Sequence, residues 1–169
     1  MQTLAIAVRA LVYMTAFIWF FGWLAMRLRV FDERIGFAPP AWLQVPGAFC
    51  MLLGGLLVLW CGGTFIGRGR GTPAVFDPPR VFVASGPYRF VRNPMYLGGL
   101  CLLAGFGLWL RSLSILLFAA VLILAFHLFV VCYEEPGLAK RFGESYISYK
   151  KRTNRWIPKG PPNTPCPPT

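Results

Sequence analysis

Acid is scarce in this chain of 169 residues: six Asp and Glu stand against 17 Lys and Arg, with a single His. One histidine and no acid–base dyad leave little machinery for chemistry that must shuttle protons. The five cysteines (Cys50, Cys61, Cys101, Cys132 and Cys166) contain no Cys-x-x-Cys pair, and four lie in or at the ends of apolar segments. They read as small buried residues, which excludes a disulfide framework and leaves no metal centre to expect. Polar stretches long enough to make a soluble domain are also missing. Apolar residues make up 56% of the chain, including 15 Phe and 6 Trp. A soluble domain of this length cannot bury that much apolar surface.

What is present is a series of apolar runs near the ~20 residues that span a bilayer. The expected architecture is an all-α integral membrane domain, residues 1–169, with about four transmembrane helices near 4–26, 46–66, 94–110 and 113–133. A signal peptide is the competing reading of the first run, but it is long, ends in bulky aromatics and shows no obvious small-residue cleavage site. Only Arg111-Ser112 separates the last two runs, so they form a tight hairpin, and the third is short for a full crossing. Paired glycines in the second run (Gly54-Gly55, Gly62-Gly63) invite close helix packing, and Gly63-x-x-x-Gly67 is a weak match to the packing motif. A Gly/Pro-rich loop follows it. Residues 137–152 read as an amphipathic cytoplasmic helix with Leu138, Phe142, Tyr146 and Tyr149 along one side. Residues 158–169 are Pro-rich, with disorder expected.

The net charge of +11 suggests nucleic acid at first sight, but the bases lie between and after the apolar runs. Loops facing anionic lipid explain them, and no nucleic-acid partner is expected. Placing both termini inside gathers 13 of the 17 bases on the cytoplasmic side and leaves Arg27, Arg29, Arg34 and Arg111 opposite. The positive-inside rule therefore puts both termini, the 67–93 loop and the tail in the cytoplasm, at the inner membrane if the cell is bacterial.

The third run opens on Gly86-Pro87-Tyr88-Arg89-Phe90-Val91-Arg92-Asn93-Pro94-Met95-Tyr96. Asn93 followed by Pro94 is a helix-start signature, Asn as cap and Pro at the first helical position. The open N–H groups of that turn favour an anionic group. Tyr88, Arg89, Arg92 and Tyr96 gather round it, as a binding site or as interfacial anchors. Glu134-Glu135 ends the fourth run at the same face, where the helix dipole disfavours carboxylates. The pair reads either as recognition of a cation or sugar hydroxyls or as an interfacial, solvated pair. His127 lies seven residues before Glu134, on the same face of a regular helix and ~10 Å deeper. It either lines an acceptor pocket or bonds across the bundle.

The 86–96 motif, a hydrophobic hairpin of about 40 residues, and then Glu134-Glu135-Pro136-Gly137-Leu138, Phe142-Gly143, Tyr146 and Tyr149-Lys150-Lys151-Arg152 resemble the isoprenylcysteine carboxyl methyltransferase family. Its superfamily includes phospholipid N-methyltransferases and bacterial members of unassigned substrate. The likeness covers roughly Arg80 to Pro158. It implies S-adenosylmethionine as cofactor, and carries cofactor contacts onto Arg80, Val81, Phe82, Val83, Tyr88, Arg92, Asn93, Pro94, Met95, Tyr96 and Glu134, with Glu135, Tyr146 and Arg155 beside them. No catalytic residue is certain; Asn93, Tyr96 and Glu134 would align the cofactor. His127, Val130 and Arg155 are the substrate-pocket candidates. The implied acceptor is lipophilic or small, a carboxylate, thiol or amine, reached from the membrane lipids.

Two departures stand out. Family members often carry His where Asn93 stands, so a titrating group there is not required. Those acting on prenylcysteine tend to carry Arg at the position of Val130, which points away from that substrate. Two other readings stay open: an NADPH-dependent membrane reductase resembling sterol reductases, with Arg80, Arg89 and Arg92 on a phosphate, and a non-enzymatic membrane subunit.

Overall fold

A computed structural model describes residues 2–69 and 82–158. Arg80 and Val81, most of the Gly/Pro-rich loop and residues 159–169 lie outside them. The described residues form helices and no strand: α1 (Gln2–Leu28), a one-turn α2 (Asp32–Ile35), α3 (Gln44–Thr64), α4 (Pro94–Trp109), α5 (Leu113–Phe129) and α6 (Glu135–Arg152). Three helical stretches are long and apolar enough to cross a membrane, Leu4–Ile35, Ala41–Gly67 and Leu113–Arg152, while the apolar α4 is shorter. Leu11, Phe17, Trp19 and Trp23 of α1 lie exposed, the surface expected of a helix whose solvent is lipid.

Helices in lipid gain nothing from hiding apolar surface from one another, so close backbone packing must hold them. The tightest contact is α3 against α4. A Cβ on Gly54 would lie 2.6 Å from the Gly98 carbonyl oxygen, and one on Gly105 would lie 2.6 Å from that of Gly47. The two crossings are seven residues apart on each strand of an antiparallel pair. Gly54 was expected to serve this way; Gly47, Gly98 and Gly105 were not. Gly62 packs on Met14, but a Cβ on Gly63 or Gly67 would meet nothing within 4 Å among the described residues, so the Gly63/Gly67 motif makes no close helix contact there.

The α4–α5 hairpin turns on Arg111 and Ser112. Arg111 adopts a positive φ of 54°, and the Ser112 hydroxyl accepts from the Ile115 amide at 3.2 Å. Ala25, Leu103, Ile115 and Ala119 form the core where α1, α4 and α5 meet. Two π turns interrupt the helical runs: Phe65–Gly69 follows α3, and Val130–Glu134 joins α5 to α6. Each inserts an i→i+5 step and rotates whatever follows.

A break at Gly143 (φ 52°, ψ −130°) divides α6. Only glycine adopts that conformation without strain. The expectation of one continuous tail helix is corrected accordingly: the second half folds back over the first.

Candidate functional site

The fold-back brings distant charges together. In a straight helix Glu135 and Lys150 would be about 22 Å apart along the axis; here Lys150 Nζ lies 2.9 Å from Glu135 Oε2. Arg155 adds a two-pronged contact, its Nε donating to Glu135 Oε1 at 2.7 Å and its second nitrogen to Oε2 at 3.1 Å. Arg92, from the segment before α4, places Nη1 3.0 Å from Oε1. Burial alone would raise the Glu135 carboxyl. The hydrogen bonds from Arg155 and Lys150 and the charges of Arg92 and Arg155 overcome it and hold the group at about 2. The same carboxylate, through the Arg155 bond first, pushes the Arg155 guanidinium up.

Three cations thus share one carboxylate. The Arg92 side chain is only 9% exposed, and its Nη1, though close to Glu135, is misaligned for a hydrogen bond; neither Nη1 nor Nε finds a partner among the described residues. A buried guanidinium with unspent donors is costly unless something accepts from it.

The tail is also fastened through its backbone. The Arg92 amide donates to the Asn154 carbonyl at 2.9 Å and the Asn93 amide to that of Arg155 at 3.3 Å. The Asn93 side chain makes no capping bond to α4; its amide nitrogen donates to the Arg155 carbonyl at 3.4 Å. This corrects the expectation of a side-chain cap. Pro94 does begin the helix, but Asn93 serves the tail instead.

Beside this cluster, the Tyr96 hydroxyl donates to Glu134 Oε2 at 2.8 Å, joining the first turn of α4 to the end of the π turn. Tyr96 stacks obliquely on Phe126 at 5.0 Å between ring centres and meets Trp156 edge-on at 6.5 Å. Phe126 continues the aromatic wall to Phe17 and Phe21 of α1, at 6.4 and 6.0 Å. Trp156 donates its indole N–H to Nδ1 of His127 at 3.1 Å. The π turn breaks the regular phase assumed between His127 and Glu134. Trp156 and Tyr96 connect them instead.

The remaining candidates among the described residues make packing contacts. Phe82 sits among Phe142, Tyr146 and Tyr149 at 5.1–5.9 Å, pinning its segment to α6. Val83, Tyr88 and Cys61 form a buried cluster with Met95 against it. Tyr88 meets Phe65 edge-on at 5.1 Å, and its carbonyl accepts from the Tyr149 hydroxyl. Burial pushes the Tyr88 phenol well above its ordinary range. Pro94 and Val130 are fully buried. The structure therefore brings together Tyr96 with Glu134, and Arg92, Asn93, Glu135 and Arg155, with His127 held from the tail. Lys150 and Trp156 were not foreseen. Only the glycine break in an otherwise helical run could have signalled the first.

A cavity of about 650 Å³ opens at the other end of the bundle, lined among others by Arg29, Asp32, Glu33 and Arg111. Its Arg29, Glu33 and Arg111 are exposed, and none of the residues just described reaches it.

The phospholipid methyltransferase family model matches residues 42–145, more than half the chain. The chain is 35% identical over 104 residues to the cobalt-zinc-cadmium resistance protein CzcN of Cupriavidus metallidurans, 60% of this chain and 42% of that protein. It is 35% identical over 63 residues to an uncharacterized protein of Haemophilus influenzae, 37% of this chain and all of that one. Over 82 residues it is 39% identical to methanethiol S-methyltransferase 1 of Bradyrhizobium diazoefficiens, 48% of this chain and 27% of that enzyme. The aligned parts thus span less than half of CzcN and of the methanethiol enzyme.

Proposed function

The chain belongs to the phospholipid methyltransferase family, and from that premise we propose that it transfers a methyl group from S-adenosylmethionine to a lipophilic or small acceptor at the cytoplasmic face of a membrane. Four crossings in one domain, with α4 the shortest, bring both termini and the Glu134–Glu135 end to that face; the distribution of bases supports this orientation. The observation that carries the reading is the Tyr96–Glu134 pair, set beside an aromatic wall and the buried Arg92 guanidinium with its unspent donors.

The residues present fit the cofactor. Tyr96 occupies one oxygen of Glu134, leaving Oε1 for a ribose hydroxyl or an ammonium group. Arg92 has unspent donors suited to a carboxylate. Tyr96, Phe126 and Trp156 offer ring faces of the kind that attract a sulfonium. When bound, the cofactor supplies a methyl group on a positively charged sulfur, which passes to a lone pair while the carbon–sulfur electrons stay on sulfur. The protein's work is to orient and to exclude water. Tyr96 fixes the Glu134 carboxylate, Glu135 fixes Arg92 and the tail, and Asn93 holds the Arg155 carbonyl so that Trp156 covers the site.

Isothermal titration of the detergent-purified protein with S-adenosylmethionine tests this. Glu134→Gln and Tyr96→Phe should each weaken binding about tenfold, the worth of one hydrogen bond to a charged group. Unchanged affinity in both folded variants overturns the site, and binding of NADPH in place of S-adenosylmethionine overturns the reaction.

A further inference from the structure

His127 is the chain's only histidine and lies within an apolar helix, where an ionisable side chain needs a reason. The tail supplies half of one. An indole N–H can only donate, so Nδ1 of His127 must offer its lone pair to Trp156. The proton of the neutral ring is then fixed on Nε2. Among the described residues Nε2 has no hydrogen-bond partner. His127 is therefore a single oriented donor, one residue past Phe126 of the aromatic wall, with Trp156 edge-on to Tyr96.

Resting on the methyl-transfer reading, we propose that His127 receives the methyl acceptor through Nε2–H, and that the acceptor's reacting group is an anion, thiolate or carboxylate, at the head of an apolar body. Three features select against an amine. An ammonium offers no lone pair to Nε2–H. An amine also has a proton to lose, yet Nδ1 is spent on Trp156, and Glu134, with Oε2 on Tyr96, gives its remaining oxygen to the cofactor. Arg92, Lys150 and Arg155 outnumber the carboxylate they share, so the field at this end favours anions. An anion needs no base: its lone pair forms the bond to the methyl carbon as the carbon–sulfur pair returns to the donor sulfur, and no proton moves. Toward the acceptor Trp156 acts through His127 and is a positioning residue. The aromatic wall from Phe126 to Phe17 and Phe21 suits the apolar body.

A single histidine makes the test unambiguous. Protein labelled with 15N-histidine, in lipid nanodiscs with S-adenosylhomocysteine, should show Nε2 protonated and Nδ1 bare. Trp156→Phe should release the ring into a mixture of tautomers. Octanoate at neutral pH, or octanethiol at a pH that ionises its thiol, should shift the Nε2 resonance, and octylamine at neutral pH should leave it in place. With radiolabelled donor, His127→Ala should raise the KM for the anionic acceptor at least tenfold, more than it weakens S-adenosylmethionine binding. His127→Gln, which retains a donor near the position of Nε2, should recover most of that loss. An Nε2 signal unmoved by both anions, or moved by octylamine, overturns the proposal, and the wild-type spectra decide even if a variant fails to fold. Calorimetry on the same sample separates the two readings. Absence of S-adenosylmethionine binding defeats methyl transfer itself, whereas binding with a silent histidine defeats only the role given to His127.

Discussion

The bundle is tied at both ends, and the two ends are tied differently. At the α2 end, side chains bond to backbone: Asp32 accepts from the Ser114 amide at 2.8 Å, Gln44 donates to the Trp109 carbonyl at 2.9 Å, and Arg111 donates to the Pro39 carbonyl at 2.8 Å. The first two satisfy groups that every helix end leaves open, and the third holds the loop before α3. At the α6 end the ties run between ionised side chains drawn from segments up to 63 positions apart, and buried donors of Arg92 are left over. At the α2 end the buried side-chain group without a partner among the described residues is the neutral Ser114 hydroxyl, and the charges of Arg29, Glu33 and Arg111 lie exposed. The α6 end keeps its reserve on a buried, charged guanidinium.

The strongest way to break that contrast is Glu135→Gln. Removing the carboxylate strands Arg92 in a buried site, which costs about 3–5 kcal/mol. Thermal unfolding in detergent should fall sharply, and protease should reach the tail beyond residue 152. Next in size is Gly143→Ala. A side chain at φ 52°, ψ −130° costs about 1–3 kcal/mol and opposes the fold-back. Tail protection and S-adenosylmethionine affinity should fall together. A tail that stays docked in that variant would dissociate the ion cluster from the glycine break.

Acid offers the same lesion reversibly. The Glu135 carboxyl drops from an ordinary 4.5 to about 2 on folding. Its contribution is therefore present above pH 4.5 and lost as pH falls through 2. Protease protection of the tail should persist at pH 4 and vanish near pH 2; loss already complete at pH 4 would show the carboxylate to be less well held. The smallest effect belongs to the other end. Asp32→Asn keeps an acceptor oxygen for the Ser114 amide and should cost under about 1 kcal/mol, with S-adenosylmethionine binding by calorimetry unchanged. A tenfold loss of binding there would erase the distinction between the two ends.

Much of this organisation was legible in sequence because the strongest local signals were unopposed. Pro94 begins α4, and the Arg111-Ser112 break makes the tight turn expected of it. Glu134 and Tyr96, which the family resemblance put at the cofactor, find each other across 38 positions. Less legible was whatever depends on how two helices meet. Asn93 had an attractive local role as a cap, yet the Arg155 carbonyl, distant in sequence, takes its side chain. Gly47 and Gly105 look unremarkable until antiparallel packing sets them face to face. Glu135 was ranked behind Glu134 because adjacent carboxylates look alike in a string; only the folded-back tail makes one an ion hub and the other a tyrosine's partner. The π turns left no compositional mark, since an i→i+5 bond asks nothing special of Val130–Glu134.

That second π turn works like a one-letter insertion in a text read in fixed groups. Upstream of it α5 is aligned with the lipid, and downstream the chain is aligned with its own tail; the two frames agree only because of the added residue. Deleting one residue there would leave α5 seated as it is and would turn everything from Glu134 onward by about 100°. Glu134 would swing off Tyr96 and Glu135 off its three cations in one step. The spacing between Asn93-Pro94 and Glu134-Glu135 is therefore as much a part of the site as the residues themselves, and a homologue could keep every side chain and still lose the centre by a single missing codon.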